Sequence, residues 1–197
     1  MEYNIVAAGV GGQGIVLFSE ILSKAMLLEG MNASFYVHSG LAQLGGSVRS
    51  HIRSGNRICP KISEGCADVI LSLEMAEILH AVPYLKMGGT VLISEVVRMP
   101  YHSAMEPSRY PSREALERLF VDGGTRATFV PADGIALGVG HIQTVNVVML
   151  GALVASSGVV ETESLVTILR SCMDRNADIN VEAFWKGYEF IKGRDWQ

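Results

Sequence analysis

Apolar runs of strand length alternate along the chain with apolar residues at helical spacing, and glycines mark most of the changes between them. Ile5 to Ala8 leads into Gly9-Val10-Gly11-Gly12-Gln13-Gly14. After it, Ile15, Leu17, Phe18, Ile21, Leu22, Ala25, Met26 and Leu28 recur at about the helical period. A buried strand, a glycine turn and a helix are therefore predicted, in the order that opens a parallel α/β sheet. The helix ends near Glu29-Gly30, with Gly30 as its cap. Ala33–Val37 reads as a second strand and Ser47–Arg53 as a third. Alternation in the third puts Val48, Ser50 and Ile52 on one face and Arg49, His51 and Arg53 on the other. Ser54-Gly55-Asn56-Arg57 predicts a hairpin turn and so an antiparallel addition to the sheet.

Ala67–Leu73 is a continuous apolar strand of the kind buried in parallel sheets. A helix is predicted over Met75–Leu85, with Ile78, Leu79, Val82 and Leu85 facing inward. After Lys86-Met87-Gly88-Gly89 comes a strand at Thr90–Ser94, which completes a second βαβ unit with a right-handed crossover. The segment 95–112 carries Pro100, Pro107 and Pro111 and reads as a long excursion over a ligand or a partner. Ser112 caps a helix over Arg113–Val121, and Arg126–Pro131 is a last strand. Beyond Ala132-Asp133-Gly134 a helix from Thr144 to Ser157 is apolar nearly all round, which predicts burial on most sides. Helices over Thr162–Met173 and Asn180–Lys192 finish the chain. In the latter, Val181, Phe184, Trp185, Tyr188 and Ile191 form a packing stripe. The expected fold is a single α/β domain over 1–197, built as three α/β/α layers. Its mixed sheet is mostly parallel and Rossmann-like with antiparallel additions, with a core over about 3–157 and C-terminal helices over 158–193.

Composition narrows the class. Of the 197 residues, 49% are hydrophobic and only 18% charged, so part of the exterior is expected to be covered by a partner. A net charge of −4 and a pI of about 5.7 argue against nucleic acid as the main ligand. The most apolar window, Val145–Ala155, falls short of the roughly 20 residues that span a bilayer. Glu2, Asn4 and Gly9 interrupt the start of the chain, so no secretory signal is expected there. Cys59, Cys66 and Cys172 cannot all pair with one another, and a reduced cytoplasmic setting follows as the expectation.

Several chemistries lack their residues. No CxxC run is present for an iron–sulfur cluster, and the five histidines show no HxxxH or HxH spacing for a metal. No GxSxG elbow offers a serine nucleophile. Asp133-Gly134 lacks the preceding glycine and the downstream asparagines that hold thiamine diphosphate through Mg²⁺. No catalytic and no metal-ligating residue is therefore predicted.

What remains is a binding site. Gly9, Gly11 and Gly14 have the GxGxxG spacing, and a helix start offers free N–H groups to an anion. Tight strand–helix packing without a ligand uses the same glycines. The second strand leads to His38-Ser39, where a dinucleotide site places an acid, which argues against NAD. Arg49, His51 and Arg53 suit an anionic ligand or an acidic partner surface, or else form the solvated face of an edge strand. Asn146 reads as a satisfied polar group or cap more readily than as a ligand contact.

Five segments in register carry a family resemblance: Gly9–Gly14, Ala42-Gln43-Leu44-Gly45-Gly46-Ser47, Ala67–Glu74, Tyr84–Thr90 and Asn146–Leu153. Together they resemble the gamma subunit or domain of 2-oxoacid:ferredoxin oxidoreductases, most nearly the small (beta) subunit of the indolepyruvate type. The resemblance covers about Ile5 to Leu153. It implies a non-catalytic small subunit of an oxidoreductase acting on indolepyruvate or another aryl pyruvate. Thiamine diphosphate, Mg²⁺ and [4Fe–4S] clusters would sit on a large partner subunit, and ferredoxin would be the acceptor of the holoenzyme. The chain would hold no cofactor tightly, with a coenzyme A contact open to it. Gly9, Gly11, Gly12, Gln13 and Gly14 would face an anion with backbone donors. Gln43, Gly45, Gly46 and Ser47 would form the opposing loop, unless that stretch is a plain turn, and Arg49 would contribute charge. Leu44 stands where the family often has Arg, which weakens an anion contact, and Met87 replaces a common Pro. A homodimer stays open for the isolated chain. The other readings are a stand-alone Rossmann-type nucleotide-binding protein and a pure assembly protein whose glycine loop meets no ligand.

Overall fold

The computed structural model describes residues 2–40, 45–56, 59–98, 110–173 and 176–194. Six strands, β1 (Tyr3–Val10), β2 (Ala33–Ser39), β3 (Ser47–Ser54), β4 (Ala67–Ser72), β5 (Leu85–Ser94) and β6 (Ala127–Val130), form one sheet in the order β2-β3-β1-β4-β5-β6. Neighbours from β1 through β6 run parallel. β3 is antiparallel to both of its neighbours, β1 and β2, and supplies the antiparallel part of the sheet.

Side-chain alternation in these strands decides the layers. Ile5, Ala7, Val69, Leu71 and Leu92 face one side, where they meet α1 (Ile15–Leu28), α4 (Val145–Ser157), α5 (Thr162–Cys172) and α6 (Ala177–Lys192). Val6, Ala8, Ile70, Val91 and Ile93 face the other, against Ile78 and against Leu116 and Phe120 of α2 (Arg113–Asp122). The three layers are those read from the sequence. Leu165, Leu169, Phe184 and Ile191 belong to the same buried cluster as Ile5, so the C-terminal helices are packed into the main core. Ten residues of α4, from Asn146 through Ala155, are buried, which follows from its nearly all-round apolar surface.

Four expectations need correction. Met75–Leu85 is not an α-helix but two 3₁₀ turns, Ala76–His80 and Val82–Tyr84. Pro83 removes an N–H there, and the Glu74 carboxylate accepts from the Ala76 and Glu77 amides at the start of the segment. Leu79, expected inside, is exposed as a result. Ser47–Ser54 is an interior strand, not an edge, and the turn after it does not begin a hairpin, because the next strand pairs parallel with β1. A helix the periodicity missed, α3 (Ala132–Val139), precedes α4. Of the excursion over 95–112, residues 99–109 lie outside the described residues, as does Gln43.

Candidate functional site

The ends of β1, β4 and β5 meet at the glycine turn, the position where open α/β sheets place ligands. Gly12 and Gly14 both take positive φ, 96° and 83°. Gln13 secures the turn: its Oε1 accepts from the Val10 amide at 2.7 Å, and its Nε2 donates to the Leu73 carbonyl at 2.9 Å. The side chain thus bridges the ends of β1 and β4. The expected second arm is beside it, since the Gly11 amide donates to the Gly46 carbonyl at 2.8 Å and the Gly45 amide to the Gly11 carbonyl at 3.3 Å. This pairing uses the Gly11 donor within the protein. The Gly12 and Gly14 amides, and the first turn of α1, have no acceptor among the described residues. Gly9 packs its backbone against Gln13 and Ile15, where a Cβ would lie 3.0 to 3.1 Å from their side chains.

Ser47 donates its hydroxyl to Glu77, a carboxylate 1% exposed. Arg49 turns toward the 3₁₀ turns: its Nη1 donates to the His80 carbonyl at 2.8 Å, and the guanidinium lies 5.2 Å from the Tyr84 ring centroid. The other two members of the basic row also serve the fold. Arg53 holds Asn4 Oδ1 at 2.7 Å and the Cys59 carbonyl at 2.8 Å. His51 Nδ1 accepts from the Ile62 amide at 3.2 Å. Burial first, and then the neighbouring basic groups Arg49, Lys61, His38 and Arg53, lower the His51 pKa to about 4. This face is therefore neither the solvated edge nor the open anion site that alternation alone allowed. Each of its three basic residues instead makes at least one hydrogen bond to another segment.

Glu74 anchors the segments around it, a role the sequence reading did not give it. Its Oε2 accepts from the Ala76 and Glu77 amides at 2.8 and 3.0 Å, and its Oε1 accepts from the Arg98 amide at 3.2 Å and from the Tyr110 hydroxyl. One buried carboxylate thereby anchors both described ends of the excursion after β5. Burial raises the Glu74 pKa against the opposing effect of those hydrogen bonds. Burial and the carboxylate beside it raise that of Tyr110, which stays the proton donor.

Between the glycine turn, Arg98 and the starts of α3 and α4 lies a cavity of about 650 Å³. Asn146, 4% exposed, lines it, and a Cβ on Gly14 would fall 2.5 Å from Asn146 Nδ2. Its one sequence signal was a lone amide in an otherwise apolar helix. Among the described residues no group of three or more His, Cys, Asp or Glu is placed to hold a metal ion, and no helix is long and apolar enough to cross a membrane.

Comparison with known proteins adds to this geometry. The profile of a family described as pyruvate ferredoxin/flavodoxin oxidoreductase matches residues 4–190. The chain is 35% identical over 190 residues to the indolepyruvate oxidoreductase subunit IorB of Methanothermobacter thermautotrophicus, covering 95% of this chain and 97% of that one. It is 29% identical over 186 residues to the pyruvate/ketoisovalerate oxidoreductases common subunit gamma of Thermococcus kodakarensis, with 90% and 93% covered. The fold matches the crystal structure of the keto/oxoacid ferredoxin oxidoreductase gamma subunit from Geobacter sulfurreducens at TM-score 0.73 and 24% identity, covering 98% and 99% of the two chains.

Proposed function

The chain belongs to the pyruvate ferredoxin/flavodoxin oxidoreductase family, and from that premise we propose that it is the small subunit of a 2-oxoacid:ferredoxin oxidoreductase of the indolepyruvate type. The observation that carries this is the end-to-end likeness to subunits named for indolepyruvate oxidoreductase, with nearly the whole of each chain covered. The holoenzyme decarboxylates a 2-oxo acid, passes two electrons to ferredoxin and transfers the acyl group to coenzyme A.

The described residues offer no ligand set for thiamine diphosphate with Mg²⁺ or for a cluster. Asp133 Oδ1 accepts from the amide of the next residue, Gly134, in the first turn of α3. Those groups are accordingly assigned to a large partner subunit. The free amides of Gly12 and Gly14 fit an anion, and a phosphate-bearing coenzyme A contact is assigned to that turn and its Gly45–Ser47 neighbour. Arg49 supports the arm through His80 and Tyr84 and does not serve as an open cation. The stand-alone nucleotide-binding reading gains nothing from β2, which ends at His38 and Ser39 with no acid for a ribose. The free cysteines Cys59, Cys66 and Cys172 accord with a reduced, cytoplasmic setting.

The test is co-expression with a thiamine-binding large subunit. The expected result is a stable complex that reduces a viologen dye with indolepyruvate and coenzyme A, while the small chain alone is inert. Pull-downs that recover no thiamine-binding partner, or turnover by the isolated chain, overturn the assignment.

A further inference from the structure

Two helices start at the same point in this cavity. α1 begins at Ile15, just after Gly14, and α4 at Val145, directly after a 3₁₀ turn over Ile142–Thr144, and neither has a capping side chain or an acidic residue in its first turn. Their positive ends are therefore left uncompensated by the chain itself. Asn146, in the first turn of α4, comes so close to the start of α1 that Gly14 leaves no room for a Cβ. Asn146 is 4% exposed, lines the cavity and makes no side-chain hydrogen bond among the described residues. The other charged groups on the cavity wall are Arg98, which is exposed, and Asp133, whose Oδ1 is engaged with the Gly134 amide. Leu17, Val97 and Ile142 supply an apolar side.

We propose that Asn146 Nδ2, with the Gly12 and Gly14 amides, forms a phosphoryl subsite that takes the head of a phosphate monoester, whose apolar body lies along Leu17, Val97 and Ile142. The proposal rests on the anion-contact reading of the glycine turn given above, and adds the residue that reads the head group and the wall that reads what is attached to it. Asn146 is a contact residue in this arrangement: it offers two N–H donors, one for a phosphate oxygen, and no charge of its own. The apolar wall favours an ester over the free ion.

The experiment titrates the full chain with inorganic phosphate and with n-butyl phosphate at constant ionic strength, following amide resonances by NMR. Expected are joint shifts of the Gly12 and Gly14 amides and the Asn146 side-chain amide, with n-butyl phosphate binding about fivefold or more tighter than phosphate. Asn146→Leu is expected to weaken n-butyl phosphate binding about tenfold, and Asn146→Asp to weaken it further through charge repulsion. Equal binding by these variants, or shifts in wild type that leave the Asn146 amide unmoved, overturn the proposal. Should both variants fail to fold, the wild-type shifts alone decide it. Equal affinity for the two probes overturns the apolar wall. A chain that assembles with its large subunit yet ignores both probes overturns this inference and leaves the subunit assignment standing. Failure to assemble overturns the assignment instead.

Discussion

Gly187 on α6 lies directly over Val148 on α4: a Cβ on that glycine would fall 2.0 Å from the Val148 carbonyl oxygen. The contact is reciprocated one turn away, where a Cβ on Gly151 would fall 2.0 Å from the Phe184 carbonyl oxygen. The two helices thus meet backbone to backbone, and the obstacle at each glycine is a main-chain atom that no rotamer change can move. This crossing locks the C-terminal helix onto the buried helix that carries Asn146.

Gly187→Ala sets two effects against each other. Alanine gains about 1 kcal/mol of helix propensity, whereas overpacking costs about 1–3 kcal/mol or more when the backbone must shift. Overpacking wins here, and a net loss of about 2 kcal/mol is expected in urea unfolding, as a lower midpoint at constant slope. Gly138→Ala on α3 is the control, since nothing lies within 4 Å of its Cβ position. It is expected to gain about 0.5 to 1 kcal/mol. Equal effects at the two sites would dismiss the close crossing.

Gln13 is tested through the chemistry of its two ends. Gln13→Ala removes the acceptor for Val10 and the donor for Leu73, and a loss of about 1–3 kcal/mol is expected. Gln13→Glu keeps the acceptor but aims a second carboxylate oxygen at the Leu73 carbonyl. The charge variant is therefore expected to be at least as unstable as the alanine variant. If Gln13→Glu melts like wild type, the amide is not oriented by these two partners.

Much of this fold was legible because its signals are local. The runs at Ile5–Ala8, Ala67–Leu73 and Thr90–Ser94 are each apolar enough to be buried on both faces, and each is a central strand. Ser112 caps α2 by accepting from the Ala115 amide, as its place before an amphipathic stretch implied. The failures arise where distant contacts decide the outcome. Met75–Leu85 has helical spacing, yet Pro83 and the Glu74 carboxylate turn it into 3₁₀ structure. α3 is short and holds Gly134 and Gly138, which dilute its periodicity. Arg49, His51 and Arg53 look solvated in a one-dimensional pattern because their partners, His80, Ile62 and Cys59, come from later segments. The same holds at the glycine turn. The spacing located it, but that Gly11 donates to Gly46 while Asn146 comes up against Gly14 is a tertiary fact.

One hydroxyl ties the arm beside the glycine turn to a buried carboxylate. Ser47 donates to Glu77, whose carboxylate is buried, so Ser47→Ala removes a donor from it. The expected loss is about 1.5–3 kcal/mol, the range for a lost hydrogen bond to a charged group. Ser47→Thr keeps the hydroxyl and is expected to retain most of the stability. A Ser47→Ala chain as stable as wild type would mean that Glu77 is satisfied by its other neighbours alone.

His51 sets a pH dependence whose sign is fixed by its depressed pKa. In the unfolded chain the imidazole takes up a proton near pH 6.5, but in the fold only near pH 4. Between those values the unfolded state binds more protons, so stability rises with pH. The contribution is full above the unfolded pKa and is lost as pH falls toward 4. The Ile62 amide needs only an acceptor, which glutamine also provides, so His51→Gln keeps the hydrogen bond and removes the titration. Urea unfolding at pH 7.5 and pH 5 is expected to show wild type losing about 1–2 kcal/mol more than His51→Gln over that interval. Parallel losses in the two proteins would place the acid sensitivity elsewhere. A wild type that loses less than the variant would mean that His51 is charged in the fold, paired with an acid instead of buried among cations.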